Sequence, residues 1–415
     1  MTQPTARAGL HYGWTIAIAG FVITITIWGA YYTFGVFFKP LLNEFGWSRT
    51  LLSSVVALQM IAYAVLAPMS GILSDRYGPR VMQVSAGIIM GLGYILASTM
   101  HSEWQLYLFL GIMPGVGLAG INIPTLTTVP RWFHTRRGLV MGLVIAGMGL
   151  GTVITPLLAN TLISAWGWRW SYVVFGALVW ALVIPAGLMM RKDPKSMGLL
   201  AYGENPLPEP SPEALSRIPP APHGISLKQA VRKRDFWMMS GAYCAAFICL
   251  ALVTTHIVPY ASDTGLSAPM AAGVLSLMGA GSIVGRIGLG AVSDRFGRKQ
   301  TLAASLFLGT LMMIWLTLFK EPWTLYFYAA VFGLSYGGWV ALYPSLTGEV
   351  FGLASLGAVF GGISIGAGLG SAVGPTVAGY IFDASRSYQL AFIFSAALAG
   401  AAFLLILMVR NPRKG

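Results

Sequence analysis

Arg286 is the residue whose chemistry most needs explaining. It lies inside an apolar segment at about 269–293, eight residues before Asp294. Eight helical residues span roughly 12 Å, so the guanidinium is remote from the segment's end. All 13 acidic residues fall in loops or at segment ends, and none matches Arg286 in depth. A guanidinium keeps its charge at physiological pH and offers a carboxylate two parallel hydrogen bonds. Capture of an anion is one expectation. The other is a structural role, bonded to carbonyls or to a neighbouring helix. Trp28, Tyr31, Tyr32, Asn122 and Tyr336 are polar or aromatic companions that read equally as contacts or as packing, and Phe360 and Ser364 are weaker candidates. His256, in Thr254-Thr255-His256-Ile257-Val258-Pro259-Tyr260, can titrate near neutral pH. It reads as a proton carrier, an anion contact or a satisfied packing histidine.

The elements that position these residues follow from composition. Of 415 residues, 56% are apolar and 9% charged, with mean hydropathy +0.71; a soluble chain carries about 25% charge. A soluble globule and a disordered chain are both excluded. Twelve apolar segments are long enough to cross a bilayer, at about 12–37, 51–73, 81–100, 105–128, 138–163, 170–190, 236–261, 269–293, 300–319, 323–347, 354–382 and 388–409. Their runs are continuous, which argues against a β-barrel. A stretch at 191–235 with eight prolines reads as a poorly ordered linker, ending in a short basic helix from Ser226 to Arg234. The expected organisation is a six-helix bundle over 1–190, a linker over 191–235 and a second bundle over 236–415. In hydrocarbon a lone Arg286 costs several kcal/mol unless it faces water or a partner, which favours a central aqueous cavity.

The net charge of +13 suits membrane topology rather than nucleic acid. With both termini and the linker in the cytoplasm, 20 of the Lys and Arg residues fall on that side and 5 outside, the bias of a positive-inside protein. Cys244 and Cys249 read as small buried hydrophobes. The glycine rows of the fifth and eleventh segments lack a phosphate-loop pattern and read as close-packing faces. No cofactor or metal site is expected, and no catalytic constellation is present.

The two halves repeat at an offset of 219 residues. Gly71-x-x-Ser74-Asp75-Arg76-x-Gly78-x-Arg80 matches Gly290-x-x-Ser293-Asp294-Arg295-x-Gly297-x-Lys299. The same offset pairs Pro40 with Pro259, Glu44 with Asp263, and Gly147-x-Gly149-Leu150-Gly151 with Gly366-x-Gly368-Leu369-Gly370. A duplicated parallel six-helix unit is the plan of a rocking transporter. The Gly-x-x-x-Asp-Arg-x-Gly-x-Arg/Lys element, present twice, resembles the signature of the major facilitator superfamily. The resemblance implies an all-α polytopic membrane protein of 12 transmembrane helices in two pseudo-symmetric six-helix bundles. It also implies a conformational latch built from Asp75, Arg76, Arg80, Asp294, Arg295 and Lys299.

Tyr12-Gly13-Trp14, Phe34-Gly35-Val36-Phe37-Phe38, Glu44-Phe45-Gly46-Trp47-Ser48-Arg49 and Arg286 resemble the monocarboxylate transporters and their bacterial relatives, including the oxalate:formate antiporters. The resemblance implies a bacterial-type inner membrane, a small carboxylate such as lactate or pyruvate, and proton symport by a monomer. Two departures bear on coupling. The family's Lys of the first span is Tyr32 here, and its Asp one turn before the Arg is Ser282. Positions 357–382 contain no Lys or Arg, so a single fixed charge suits a monoanion. An anion exchanger of the oxalate:formate type is the alternative.

Overall fold

The computed structural model describes residues 11–47, 49–204, 225–319, 321–385 and 387–410. Apolar runs with no water to satisfy their backbone must close their own hydrogen bonds, and the chain does so as helices. These are α1 (Tyr12–Phe45), α2 (Arg49–Tyr77), α3 (Pro79–Ala97) and α4, a largely helical run over Glu103–Trp132. A continuous run, Arg137–Met189, follows. The second half has α7 (Arg234–Asp263), α8 (Ala268–Phe296), α9 (Arg298–Leu318), α10 (Pro322–Phe351), α11 (Leu356–Ser385) and α12 (Gln389–Met408).

Among the described residues, 11 helices are long and apolar enough to cross a membrane. Arg137–Met189 has 53 residues, about 80 Å of helix against a hydrocarbon core of about 30 Å. It breaks at Gly167, where φ is 78° and ψ 167°, a conformation open to glycine. Its arms are α5, before Gly167, and α6, after it. Twelve spans result, in agreement with the twelve apolar segments.

The halves meet along two seams, α2 on α11 and α5 on α8. Glycines set the spacing. A Cβ on Gly71 would collide with the Gly357 carbonyl, and one on Gly290 would lie 2.5 Å from the Gly138 carbonyl oxygen. Only small residues permit such approach between membrane helices.

One expectation is corrected in part. Residues 191–204, placed in the linker, dock on the first bundle. The Tyr202 N–H donates to the Trp132 carbonyl (2.9 Å), and the Tyr202 carbonyl accepts the His134 N–H (2.9 Å). The Tyr202 ring packs against Trp14 and Phe133. Aromatic contact and two backbone bonds hold what composition alone reads as loose. The prolines from Pro206 to Pro222 lie outside the described residues. The basic helix is a single turn, Leu227–Ala230, with Ser226 capping the Gln229 N–H.

Candidate anion site and interface latch

Arg286 is 2% exposed, on the face of α8 that meets α5. The Gly142 position abuts the Arg286 backbone carbonyl. A Cβ on Gly149 would stand 3.1 Å from Nη1 and 2.6 Å from Ile283 Cγ1, so this glycine leaves the space the guanidinium occupies. Nη2 donates to Met148 Sδ at 3.3 Å. Nε and Nη1 have no hydrogen-bond partner among the described residues. Five N–H donors thus meet one weak thioether acceptor. None of the ion pairs among the described residues includes Arg286. Buried polar groups are almost always partnered, and an unmatched buried charge costs about 3–5 kcal/mol.

Around this cation the structure gathers some of the expected companions. Its Cζ lies 5.8 Å from the Tyr336 ring centroid, and Tyr32 interacts electrostatically with both Arg286 and Tyr336. Tyr32 is 46% exposed, whereas Arg286 is buried. Behind Tyr32 stand Trp28 (centroids 6.1 Å apart) and Tyr31 (4.9 Å). Asn122 lies one layer further back. Its Oδ1 accepts from Trp28 Nε1 (3.2 Å), and its Nδ2 donates to the Tyr63 hydroxyl (3.1 Å). One amide N–H of Asn122 is left over.

The other candidates lie elsewhere. Phe360 is buried, its ring 6.3 Å from that of Tyr243, and Ser364 donates to the Phe360 carbonyl (2.8 Å). His256 pairs away from Arg286 and Tyr336: Nε2 lies 3.1 Å from the Pro375 carbonyl and Nδ1 3.3 Å from the Tyr388 hydroxyl. A neutral ring satisfies both. Met148 and Tyr63 were not singled out by sequence, and Gly149 only as part of a packing row. The glycine row around Met148 signals close packing but not which face turns toward Arg286.

The signature loops form a crossed pair of helix caps. Asp75, on α2, accepts the Ala358 N–H at the start of α11 (3.0 Å). Asp294, on α8, accepts the Gly138 and Leu139 N–H groups at the start of α5 (2.8 and 3.0 Å). Each aspartate of one bundle thus caps a helix of the other, where free N–H groups and the helix dipole favour negative charge. The expected cations are placed differently. Arg76 lies over the Tyr77 ring (5.2 Å), while Arg80 and Arg295 are exposed. Lys299 donates to the Leu407 and Val409 carbonyls at the end of α12, as a cation at a helix C-terminus should. The cations beside the aspartates are Arg131, 2.6 Å from Asp75, and Arg298, 3.7 Å from Asp294 and paired with Glu349.

From these caps both seams stay closed inward, past Gly361 against Ala67 and Gly142 against Arg286, to Gly368 against Ala64. The site is therefore shut from the signature face.

Twelve helices in two repeated bundles, closed on one face around a buried charge, define a membrane transporter of the alternating-access class. The chain belongs to the Major Facilitator Superfamily, whose family model matches residues 16–361 and 257–415. It is similar to "Monocarboxylate transporter 12" of Xenopus laevis, 26% identical over 423 residues, covering 97% of this chain and 91% of that protein. It is similar to "Monocarboxylate transporter 13" of Bos taurus, 26% identical, covering 95% and 89%. The "Uncharacterized MFS-type transporter YhjX" of Escherichia coli K12 is 23% identical, covering 86% and 85%. Among solved structures, the E. coli fucose:proton symporter has the same fold, with TM-score 0.70, 15% identity, and coverage of 95% of this chain and 99% of that one.

Proposed function

We propose that the protein is a secondary active transporter of small monocarboxylates of the L-lactate or pyruvate kind, driven by proton symport. The observation that carries this is the Arg286 guanidinium, buried with Nε and Nη1 unpartnered beside a half-exposed Tyr32. A carboxylate entering past Tyr32 would accept from Nη1, and from the adjacent Nη2 in place of the weak Met148 Sδ acceptor, and Tyr336 would pack against the carbon chain. The relatives named monocarboxylate transporters support the substrate class. One fixed cation fits one negative charge, so binding neutralises the site before the bundles rock.

The Lys/Arg bias supports a cytoplasmic signature face, which would make the conformation described outward-facing. His256 is disfavoured as proton carrier because its ring nitrogens already face Pro375 and Tyr388.

The test is uptake of radiolabelled L-lactate into proteoliposomes, with and without an inward proton gradient. Wild type is expected to accumulate lactate only with the gradient. Arg286→Ala should lose at least about 100-fold in uptake, because a hydrogen-bonded charge pair is worth several kcal/mol. His256→Gln should keep gradient-driven uptake within about threefold. Uptake surviving Arg286→Ala would return that residue to a structural role. Uptake that needs an internal carboxylate and ignores the gradient would mean exchange.

A further inference from the structure

Arg131, Arg169 and Arg298 each meet a carboxylate. Arg286 meets a sulfur. Its Nη2 donates to Met148 Sδ at 3.3 Å, while Nε and Nη1 have no hydrogen-bond partner among the described residues. A thioether is a weak acceptor, so a carboxylate displaces it at small cost. Packing on both sides of Met148 holds the contact. A Cβ on Gly147 would lie 2.8 Å from the Phe21 carbonyl oxygen, and one on Gly149 2.6 Å from Ile283 Cγ1. Helix α5 is thus pressed against α1 and α8, and the Met148 backbone stays beside the guanidinium.

Sulfur also brings redox chemistry that a hydrocarbon side chain lacks. A thioether lone pair attacks one oxygen of hydrogen peroxide. The S–O bond forms, the O–O bond breaks, sulfur is oxidised by two electrons, and water leaves with both hydrogens. The product, methionine sulfoxide, is polar and carries an oxygen acceptor. Met148 is half-buried, and hydrogen peroxide is smaller than any carboxylate the site would take. We propose that Met148 is an oxidation site that switches the anion site off, because peroxide turns the weak partner of Arg286 into a strong one. The sulfoxide oxygen then takes the guanidinium donors that a carboxylate needs. The switch deepens the function proposed above and rests on it; the exchange of acceptors at Arg286 does not.

Two variants separate the acceptor from its shape. Met148→Gln supplies a carbonyl oxygen, as the sulfoxide does, and Met148→Leu keeps a side chain of similar size with no acceptor. Met148→Gln should raise the KM for L-lactate uptake into proteoliposomes about tenfold to a hundredfold, the range of one hydrogen bond to a charged group. It should also raise the melting temperature by about 2–4 °C, since a buried charge gains a partner. Met148→Leu should raise neither. Wild type treated with hydrogen peroxide should show one added oxygen on the Met148 peptide by mass spectrometry, and its uptake should fall in step with that fraction. Met69, Met189, Met197, Met270 and Met408 are exposed and oxidise as well, so Met148→Leu is the control. After peroxide it should keep at least half of its own untreated uptake. Equal loss in Met148→Leu and wild type, intact uptake with Met148 fully oxidised, or an unoxidised Met148 beside oxidised exposed methionines would each overturn the proposal. So would an unaltered KM and melting temperature in Met148→Gln. Absence of uptake by untreated wild type would refute the transport reading and the switch with it, while the melting temperatures still decide whether an oxygen at position 148 pairs with Arg286.

Discussion

At the scale of single residues, the anion site is a balance between one buried charge and the space left for it. Arg286 was legible because charge is rare inside an apolar run, and such residues are expensive enough to need a reason. Tyr336 and Tyr32 were legible as polar residues in spans. Their meeting at Arg286 was not, because helix periodicity does not say which face turns inward when nearly every position is apolar. Gly149 shows the difference. In sequence it belongs to a packing row, whereas in the structure its missing Cβ leaves room for Nη1 and Ile283. Gly149→Ala should push the guanidinium aside and cut lactate uptake at least tenfold. Misplacement of a binding group by about 1 Å suffices for a larger loss. Size-exclusion profiles should stay unchanged, and uptake within twofold of wild type would argue that α5 simply yields.

At the scale of elements, each helix end is held by chemistry that hydropathy does not record. On the face opposite the signature loops, Glu44 at the end of α1 accepts from Arg169 and from Trp168 Nε1, just after the break at Gly167. The Arg169 hydrogen bond, with smaller help from Trp168, holds the Glu44 carboxyl below its ordinary value. A depressed carboxyl contributes stability that is present above its unfolded value, about 4.3, and is lost as pH falls through the lower folded one. Glu44→Gln should therefore lower the melting temperature by a constant amount from pH 5 to pH 8, and the difference should fade below about pH 4. The side chains of Arg169 and Glu44 are 35% and 40% exposed, so solvent screening keeps the effect small. A difference that persists at pH 3 would assign it to packing. Hydropathy is equally silent on the start of the linker, where residues up to 204 are held by the Tyr202 backbone bonds while the prolines from Pro206 to Pro222 lie outside the described residues.

At the scale of the whole molecule, two crossed caps keep the bundles together on the signature face. They are equivalent in the repeat, so they should act in parallel. Asp75→Asn and Asp294→Asn should each shift the bundles toward opening on that face, and the double variant should shift them further. Labelling of a cysteine at Ser74, buried within the seal, should rise several-fold in each single variant. An unchanged rate in the double variant would remove the caps from the conformational balance. The caps also show how far the repeat carries. It pairs Asp75 with Asp294, but the neighbouring cations are Arg131 on one side and Arg298 with Glu349 on the other.

Sequence by itself determined the membrane class, the span count, the duplicated halves and the lone charge in the eighth span. These follow from composition, from the length a bilayer requires and from an offset of 219 residues, all of which are properties of the chain order. Only the tertiary structure decided that the signature aspartates cap helices of the opposite bundle. It also showed that Asn122 is held by Trp28 and Tyr63, and that His256 contacts Tyr388 and Pro375 rather than the anion site. Those outcomes depend on helix rotation and on which backbone ends meet across a seam. Apolar helices in a membrane carry no amphipathic stripe to declare either, so glycine contacts and hydrogen bonds among distant residues settle them.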